Sequence, residues 1–339
     1  MPSRWTNLAL LWVVPLAALS GFAMFLFGSG SALLVAIVHG VLALLVVVLS
    51  PWKSVIVRRT LVRAPRPGRT VAIVLGVLVV LAVVTGLLHL VGILADGLPV
   101  TVMQAHVGAG VLAAVLTLAH ARDRRIRARR TDLSRRALLR AGVLTSAAGV
   151  LEVGAMGAGA LANPAGTRRD TGSRRLSSPS VDAIPATSWL FDTPPDLDPV
   201  TWRIVVQSGT DRREWSLREL AAWDDAVRTV LDCTGGWWTE QTWRGVRLSR
   251  LLPPNSSPPS SPATGSVIVT SATGYQRRLP LSDDLLLATS VGAEPLRTGH
   301  GAPVRLVVPG RRGFHWVKWV ERVEVSDLPW WIQLPVSPR

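Results

Sequence analysis

The sequence predicts a multi-domain chain. An N-terminal all-α transmembrane bundle of four helices, with a fifth span that resembles an export signal, precedes a β-rich α+β domain. Three observations point there. The 339 residues have a mean hydropathy of +0.33, high for a chain that only water surrounds. Long apolar runs crowd the first half, each close to the ~20 helical residues that cross a bilayer core of ~30 Å. The second half instead carries short alternating or continuous apolar runs broken by Gly and Pro, the pattern of strands.

The first four spans are read at 8–27, 32–49, 71–94 and 100–118. The connections orient them. The loop GSGS at 28–31 has no charge, and ADGLPVT at 95–101 has one Asp. Residues 51–70 instead hold six Lys and Arg and no acid, and residues 121–140 hold nine Arg and two Asp. Those two segments account for 13 of the 15 net positive charges, and both adjoin apolar runs. Such placement is the positive-inside pattern, which puts loops one and three outside and the N-terminus with Arg4 inside. It accounts for the basic charge without nucleic acid, which is not an expected partner.

The fifth run, 141–161, is rich in Gly and Ala and follows LSRRALLR at 133–140. Ser134-Arg135-Arg136-Ala137-Leu138-Leu139 resembles a twin-arginine export signal, the route for a domain that folds around a bulky cofactor before it is moved. Ala160-Leu161-Ala162 resembles a signal cleavage site, but cutting there would divide the chain, so retention as an anchor is expected. From 163 to 199 the composition turns to Pro, Ser, Gly and Arg without periodicity, which reads as an exposed linker. The expected domains are 1–122 (helical bundle), 123–162 (basic segment and fifth span), 163–199 (linker), 200–327 (the β-rich domain) and 328–339 (tail).

Ionisable side chains are costly in lipid, so histidines in the spans are functional candidates. His39 lies about eight residues, or ~12 Å, from the outer end of its span at 1.5 Å per residue. His89 and His106 share that outer half, whereas His120 sits at the cytoplasmic edge beside Arg122. A b-type haem takes two axial imidazoles from facing helices. Spans two and four lie diagonally in an up-down bundle, which favours His39 with His106 and leaves His89 third. The other reading has these histidines bonding backbone or lining a quinone site. By histidine depth the region resembles the small four-helix cytochrome b proteins.

In the second half, 201–207, 227–233, 266–272, 275–281, 302–310 and 316–325 read as strands, and 216–223 as a short helix. The chain has a single cysteine, Cys233, so no intrachain disulfide is possible. It stands in VLDCTGG (230–236), ahead of WRGVRLSRLL (243–252). With HGAPVRLVVPGRRGFHWVKWV (300–320), these stretches resemble the sulfite-oxidase-type molybdopterin domain, over about residues 195–327. The resemblance implies a molybdenum cofactor with Cys233 as its thiolate ligand, and a soft sulfur suits such a metal. It implies that His300, Arg305 and Lys318 contact the anionic pterin, which needs cations and donors. Arg312, His315 and Gly313 are neighbouring candidates, with His315 where many relatives carry Arg.

The chain departs from the family after the cysteine. Where sulfite oxidases carry Cys-x-Gly-Asn-Arg, it has Thr234-Gly235-Gly236-Trp237-Trp238. The cation that would meet an oxyanion is missing, so sulfite is doubtful, and a less charged organic oxo substrate or thioether is expected. Tyr275, the only tyrosine, is either near the site or core, and Glu240 and Gln241 are within possible reach of it. Trp330-Trp331 reads as an interfacial anchor or as packing under the domain. The expected protein is a multi-pass plasma-membrane oxidoreductase with its catalytic domain outside. It transfers oxygen atoms on a small molecule and exchanges electrons through haem b with quinone or another membrane redox partner. The alternatives are a molybdopterin domain anchored by haem-free spans and served by a separate partner, and a cofactor-less binding module.

Overall fold

The structure is a computed structural model. It describes residues 3–26, 32–61, 69–93, 100–123, 129, 132, 134–162, 167–176, 178–188, 192–252, 265–282 and 284–334. The chain divides into two compact units, Met1–Arg174 and Arg175–Arg339. Loop 28–31, most of 95–101 and the last residues of the tail lie outside the described residues.

The first unit is helical: α1 (Ser3–Leu26), α2 (Ala32–Leu61), α3 (Arg69–Leu90), α4 (Val102–Asp123) and α5 (Arg135–Ala162). At 1.5 Å per residue each is at least ~33 Å long, and all five are long and apolar enough to cross a membrane. Helix α1 packs on α2 and α4, α3 on α4, and α2 on α5. Helix α2 runs past the expected end at 49, through Pro51, and carries its basic residues on helical turns. One end of the unit is tied by polar contacts. Arg4 pairs with Asp132 at 2.9 Å, and Lys53 donates to Asn7 Oδ1 at 2.9 Å. The start of α1, the end of α2 and the approach to α5 therefore share that end. After α5, residues 167–174 form a small hairpin, with the Arg169 N–H on the Ser173 carbonyl (2.9 Å) and that of Gly172 on Arg169 (2.8 Å).

The second unit follows a two-residue strand, β1 (Arg174–Arg175), and contains two sheets. In one, β4 (Asp225–Asp232), β5 (Trp237–Arg247) and β8 (Leu286–Val291) lie side by side, and β8 also pairs with β9 (Glu294–Pro295) and β10 (Arg305–Val307), all antiparallel. The other runs β3-β2-β11-β6-β7. Its strands are β2 (Arg203–Ser208), β3 (Asp211–Ser216), β6 (Ser266–Ser271), β7 (Gln276–Pro280) and β11 (Val320–Ser326). Strands β2 and β11 are parallel, the rest antiparallel. Both sheets feed one core, with Ile204, Val206, Val269 and Val323 from one and Val246, Leu287 and Leu306 from the other fully buried. The alternation of buried Ile204 and Val206 with the more exposed Arg203, Val205 and Gln207 is the period-2 pattern of a half-buried strand.

Two short helices punctuate the sheets. Helix α6 (Leu217–Ala221) starts at a capping box of Ser216 and Glu219. Helix α7 (Leu248–Leu251) follows β5 directly. Between Arg244 and Gly245 the β5–β8 register shifts. A Cβ on Gly245 would collide with the Leu287 carbonyl and come within 2.8 Å of Ala288 Cα. The Gly of WRGV is therefore required by the close approach of two strands.

The stretch expected as an exposed linker is partly built into this unit. Residues 181–183 form a 3-10 turn capped by Ser180, and Ile184 is buried in the core. Strands β3, β5 and β8 are additions to those expected. Strand β3 is a charged outer strand, β5 continues a motif rich in Trp and Gly, and β8 is buried on both faces.

Candidate active site

Cys233 ends β4. Its N–H donates to the Trp237 carbonyl (2.9 Å) and its carbonyl accepts from Gly236 (3.1 Å), which closes a tight turn into β5. The Gly235 N–H donates to the Cys233 Sγ at 3.3 Å, which suits a sulfur carrying negative charge. The thiol opens into a cleft of about 690 Å³, counted with its open mouth. Gly313 brings the facing wall close, since a Cβ there would be 3.3 Å from Cys233 Cα. The two walls are clamped one residue back by a buried ion pair, Asp232 Oδ1 with Arg312 at 2.5 Å.

The cationic side of the cleft comes from the stretch 300–320. Arg305 on β10 is 4% exposed and lies between the rings of Trp243 (5.3 Å) and Trp316 (5.5 Å). Such stacking suits a guanidinium held out of water. Its Nη1 donates to the His300 carbonyl at 3.2 Å. Lys318 Nζ donates to the Thr187 carbonyl at 2.9 Å and to that of Gly299. His300 is buried, with Nε2 on the Ile184 carbonyl at 2.9 Å. Gly301 takes φ 109°, and a Cβ there would press within 3.1 Å of both Arg305 Cβ and Lys318 Cβ. The glycine of HGAP thus lets the two cations stand side by side. Trp319, also in the lining, has φ 51°, a strained conformation of the kind stored at functional sites.

These cations are held against their own charge. Burial pulls Arg305 down to about 10, with Cys233 opposing. Burial, then Arg305, pulls Lys318 down to about 7, with Cys233 and Asp192 opposing. His300 is lowered, first by burial. Asp192 is the one carboxylate among the described lining residues. Arg305 Nε and His300 Nδ1 are enclosed without a hydrogen-bond partner. A molybdopterin fits this donor set. Cys233 offers the metal a soft sulfur, and Arg305 and Lys318 offer charge to an anionic tail.

Of the residues singled out in the sequence, Cys233, Arg305, Gly313 and Lys318 line the cleft together. His300 sits behind them. Arg312 is engaged by Asp232. His315 is buried against Phe314, ring centroids 4.1 Å apart, and burial lowers it to about 3, helped by Arg277 and Arg311. Arg311 stacks on Trp330 at 4.2 Å, whereas Trp331 is exposed. Tyr275 lines the cleft and donates to the Phe314 carbonyl at 2.5 Å, with burial raising its hydroxyl to about 12. Glu240 turns outward to Arg228, and Gln241 holds the Pro179 carbonyl. Trp237 is buried in the lining, and Trp238 lies under Arg175 at 5.6 Å. Asp232, Trp243, Trp316 and Thr187 were not singled out. The acid directly before the cysteine was the available signal for the first.

In the helical unit the rings of His39 and His106 meet edge to face, centroids 5.8 Å apart. His39 Nδ1 bonds the Ala17 carbonyl at 2.9 Å and approaches Ser20 Oγ at 3.1 Å. His106 Nδ1 bonds the Ala82 carbonyl at 2.8 Å. Each ring is thus oriented through Nδ1, which leaves Nε2 as the lone-pair nitrogen, as a metal-ligating imidazole requires. A Cβ at Gly21 or Gly86 would lie 3.1 Å or 3.0 Å from the Cε1 of His39 or His106, so both glycines make room for the rings. Two helix-borne imidazoles turned in this way are the donor set that a haem iron would take. His89 stands apart, its Nε2 on the Gly172 carbonyl at 3.3 Å.

The sheets, the thiol and the buried cations together define a cofactor-binding redox domain. Residues 191–331 match the family model described as "Oxidoreductase molybdopterin binding domain". Mitochondrial sulfite oxidase of Homo sapiens is 30% identical over 170 residues, covering 39% of this chain and 30% of that protein. Mitochondrial sulfite oxidase of Drosophila melanogaster is 32% identical over 95 residues, covering 25% of this chain and 17% of that protein. Nitrate reductase [NADPH] of Mycosarcoma maydis is 54% identical over 43 residues, 13% of this chain and 4% of that protein. Among solved structures, the sulfane dehydrogenase SoxCD from Paracoccus pantotrophus is similar at 25% identity and a TM-score of 0.35, covering 40% of this chain and 41% of that chain. The chain spans less than a third of the length of these three curated relatives. Its C-terminal unit carries a molybdopterin-binding domain of the molybdenum-dependent oxidoreductase type.

Proposed function

We propose that the chain is a membrane-anchored oxidoreductase. Its molybdopterin domain exchanges an oxygen atom with a small molecule on the outer side of the membrane. A haem b on His39 and His106 passes electrons between that domain and a membrane quinone or another membrane redox partner. The observation that carries this reading is the pairing of His39 with His106, each turned by a backbone carbonyl so that Nε2 is the free nitrogen. Bis-imidazole ligation from two helices is how bundles hold a low-spin haem. The basic residues beside the spans support an outer placement of the histidines and of the catalytic domain.

When bound, the molybdenum cofactor supplies two-electron oxygen-atom transfer, balanced by one water, two protons and two electrons. The residues of the chain bind and shape. Cys233 holds the metal, while Arg305 and Lys318 hold the anionic pterin and recover their full charge as they do so. Trp237 covers the approach to Cys233 where an arginine would otherwise face an incoming oxyanion. A neutral organic substrate, such as a sulfoxide or thioether, therefore fits better than sulfite.

The test is the haem content and visible spectrum of the full chain purified in detergent. The expected result is a bis-imidazole haem band that His39→Ala and His106→Ala each abolish and His89→Ala retains. Molybdenum without haem in the unaltered chain would overturn the electron path and leave the spans as an anchor for a domain served by a separate partner.

A further inference from the structure

The hairpin 167–174 carries three arginines, Arg168, Arg169 and Arg174, and the last of them reaches the end of α3. Arg174 is buried, and its Nε donates to the His89 carbonyl at 3.1 Å, with Nη2 on the Leu90 carbonyl. It satisfies the open C-terminal carbonyls of α3, so its role is accounted for. Arg168 is not accounted for. Its Nε is enclosed without a hydrogen-bond partner, and among the described residues no carboxylate forms an ion pair with it. Burial lowers it, and Glu152 is the acid that opposes this. Glu152 is itself buried in α5, but its carboxylate is packed onto Gly40 of α2, the residue after His39. His89 lies within electrostatic reach of Arg168, Arg174 and His106. The hairpin that carries Arg168 therefore lies at the same end of the bundle as the His39–His106 pair, since it bonds His89, one turn from the Gly86 that packs on His106. Arg168 is half-buried with its Nε enclosed, a setting in which an anion that met the guanidinium fork would offset the lost hydration.

We propose that Arg168 is the counter-ion for the carboxylate side chains of the haem seated on His39 and His106. The proposal rests on the haem reading above. A haem b carries two carboxylates on one edge, and a guanidinium fork matches a carboxylate in a way that an ammonium does not. The hairpin is thus part of the haem site, and it closes the end of the bundle at which the histidines lie. Its Gly172 carbonyl fixes His89, and its Arg174 caps α3, so Arg168 is delivered by a rigid turn.

The experiment varies protein and ligand together. The full chain, made without haem, is titrated in detergent with haem and with haem dimethyl ester, whose carboxylates are masked. Binding is followed by the bis-imidazole spectrum. The unaltered chain is expected to prefer free haem by about tenfold or more, the scale of a charge-assisted bond. Arg168→Gln is expected to lose that preference while still showing the bis-imidazole band, and Arg168→Lys to restore part of it. A preference that survives undiminished in Arg168→Gln overturns the assignment. If the unaltered chain takes up neither ligand, or does so equally well as His106→Ala, the haem reading itself fails.

Discussion

The two units of the chain use the same apolar residues in opposite ways. In the helical unit large apolar side chains point outward, with Val153 72% exposed and Leu34 66%. In the β-rich unit Ile204, Val269, Leu287 and Leu306 are 0% exposed, and one core joins both sheets. All five helices are long and apolar enough to cross a membrane, and under the proposed function the contrast is one of solvent, hydrocarbon for the helices and water for the sheets. The few buried charges are informative in both. In the β-rich unit they are Asp232, Arg277, Arg305 and Arg312, with Arg305 in the cleft of Cys233 and Asp232 next to that cysteine. In the helical unit they are Glu152, packed on Gly40 beside His39, and Arg174, on the carbonyls of His89 and Leu90.

That contrast can be broken by substitution. The largest expected effect is in the β-rich unit. Asp232→Ala leaves Arg312 buried without its acid and costs about 3–5 kcal/mol of stability. Thermal or denaturant melts of the full chain measure it, and the cleft clamp is wrong if the loss is below about 1 kcal/mol. The next effect compares two exposed valines. Val153→Asp on α5 puts a charge into lipid and costs about 3 kcal/mol of insertion, whereas Val200→Asp, at a site 78% exposed to water, changes stability by less than about 0.5 kcal/mol. Equal tolerance at both sites, read by membrane fractionation and melting, would remove the lipid-facing reading of α5.

A smaller effect is set by pH. Without an anion in the cleft, Lys318 holds its proton only below about 7. The unfolded chain holds that proton up to about 10.4. Between those values the unfolded state binds more protons, so stability of the cofactor-free protein rises with pH across that window. Lys318→Met flattens the rise, and a bound anionic cofactor does the same by restoring the charge. The smallest effect is expected at the surface. Arg244→Ala breaks its 2.8 Å pair with the exposed Asp224 and should shift stability by less than about 0.5 kcal/mol.

The long apolar helices were legible because hydropathy over about 20 residues needs no knowledge of tertiary contacts. The strand leading to Cys233 was legible, and motif glycines mark positions where a side chain cannot fit, as Gly245 and Gly301 show, whereas the strand expected at 302–310 is only Arg305–Val307 because 302–304 turn into it. Strand β3 (DRREWS) was hidden by its charges, since an outer strand with an exposed face need not alternate cleanly. The pairing of Asp232 with Arg312 joins residues 80 apart and leaves no local trace. Ile184 and Thr187 sit in a stretch whose Pro and Ser content reads as linker. Only the fold shows that their carbonyls accept from His300 and Lys318.

In the proposed function Cys233 holds molybdenum in a cleft whose cations, Arg305 and Lys318, are set for an anionic pterin. The most direct measurement is the molybdenum content of the full chain, purified in detergent from cells with an intact pterin pathway, beside Cys233→Ala and the surface control Arg244→Ala. The account predicts stoichiometric molybdenum in the unaltered chain and the control. It predicts loss of the metal in Cys233→Ala without loss of the folded domain. An unaltered chain without molybdenum, or a Cys233→Ala chain that keeps it, would contradict the account.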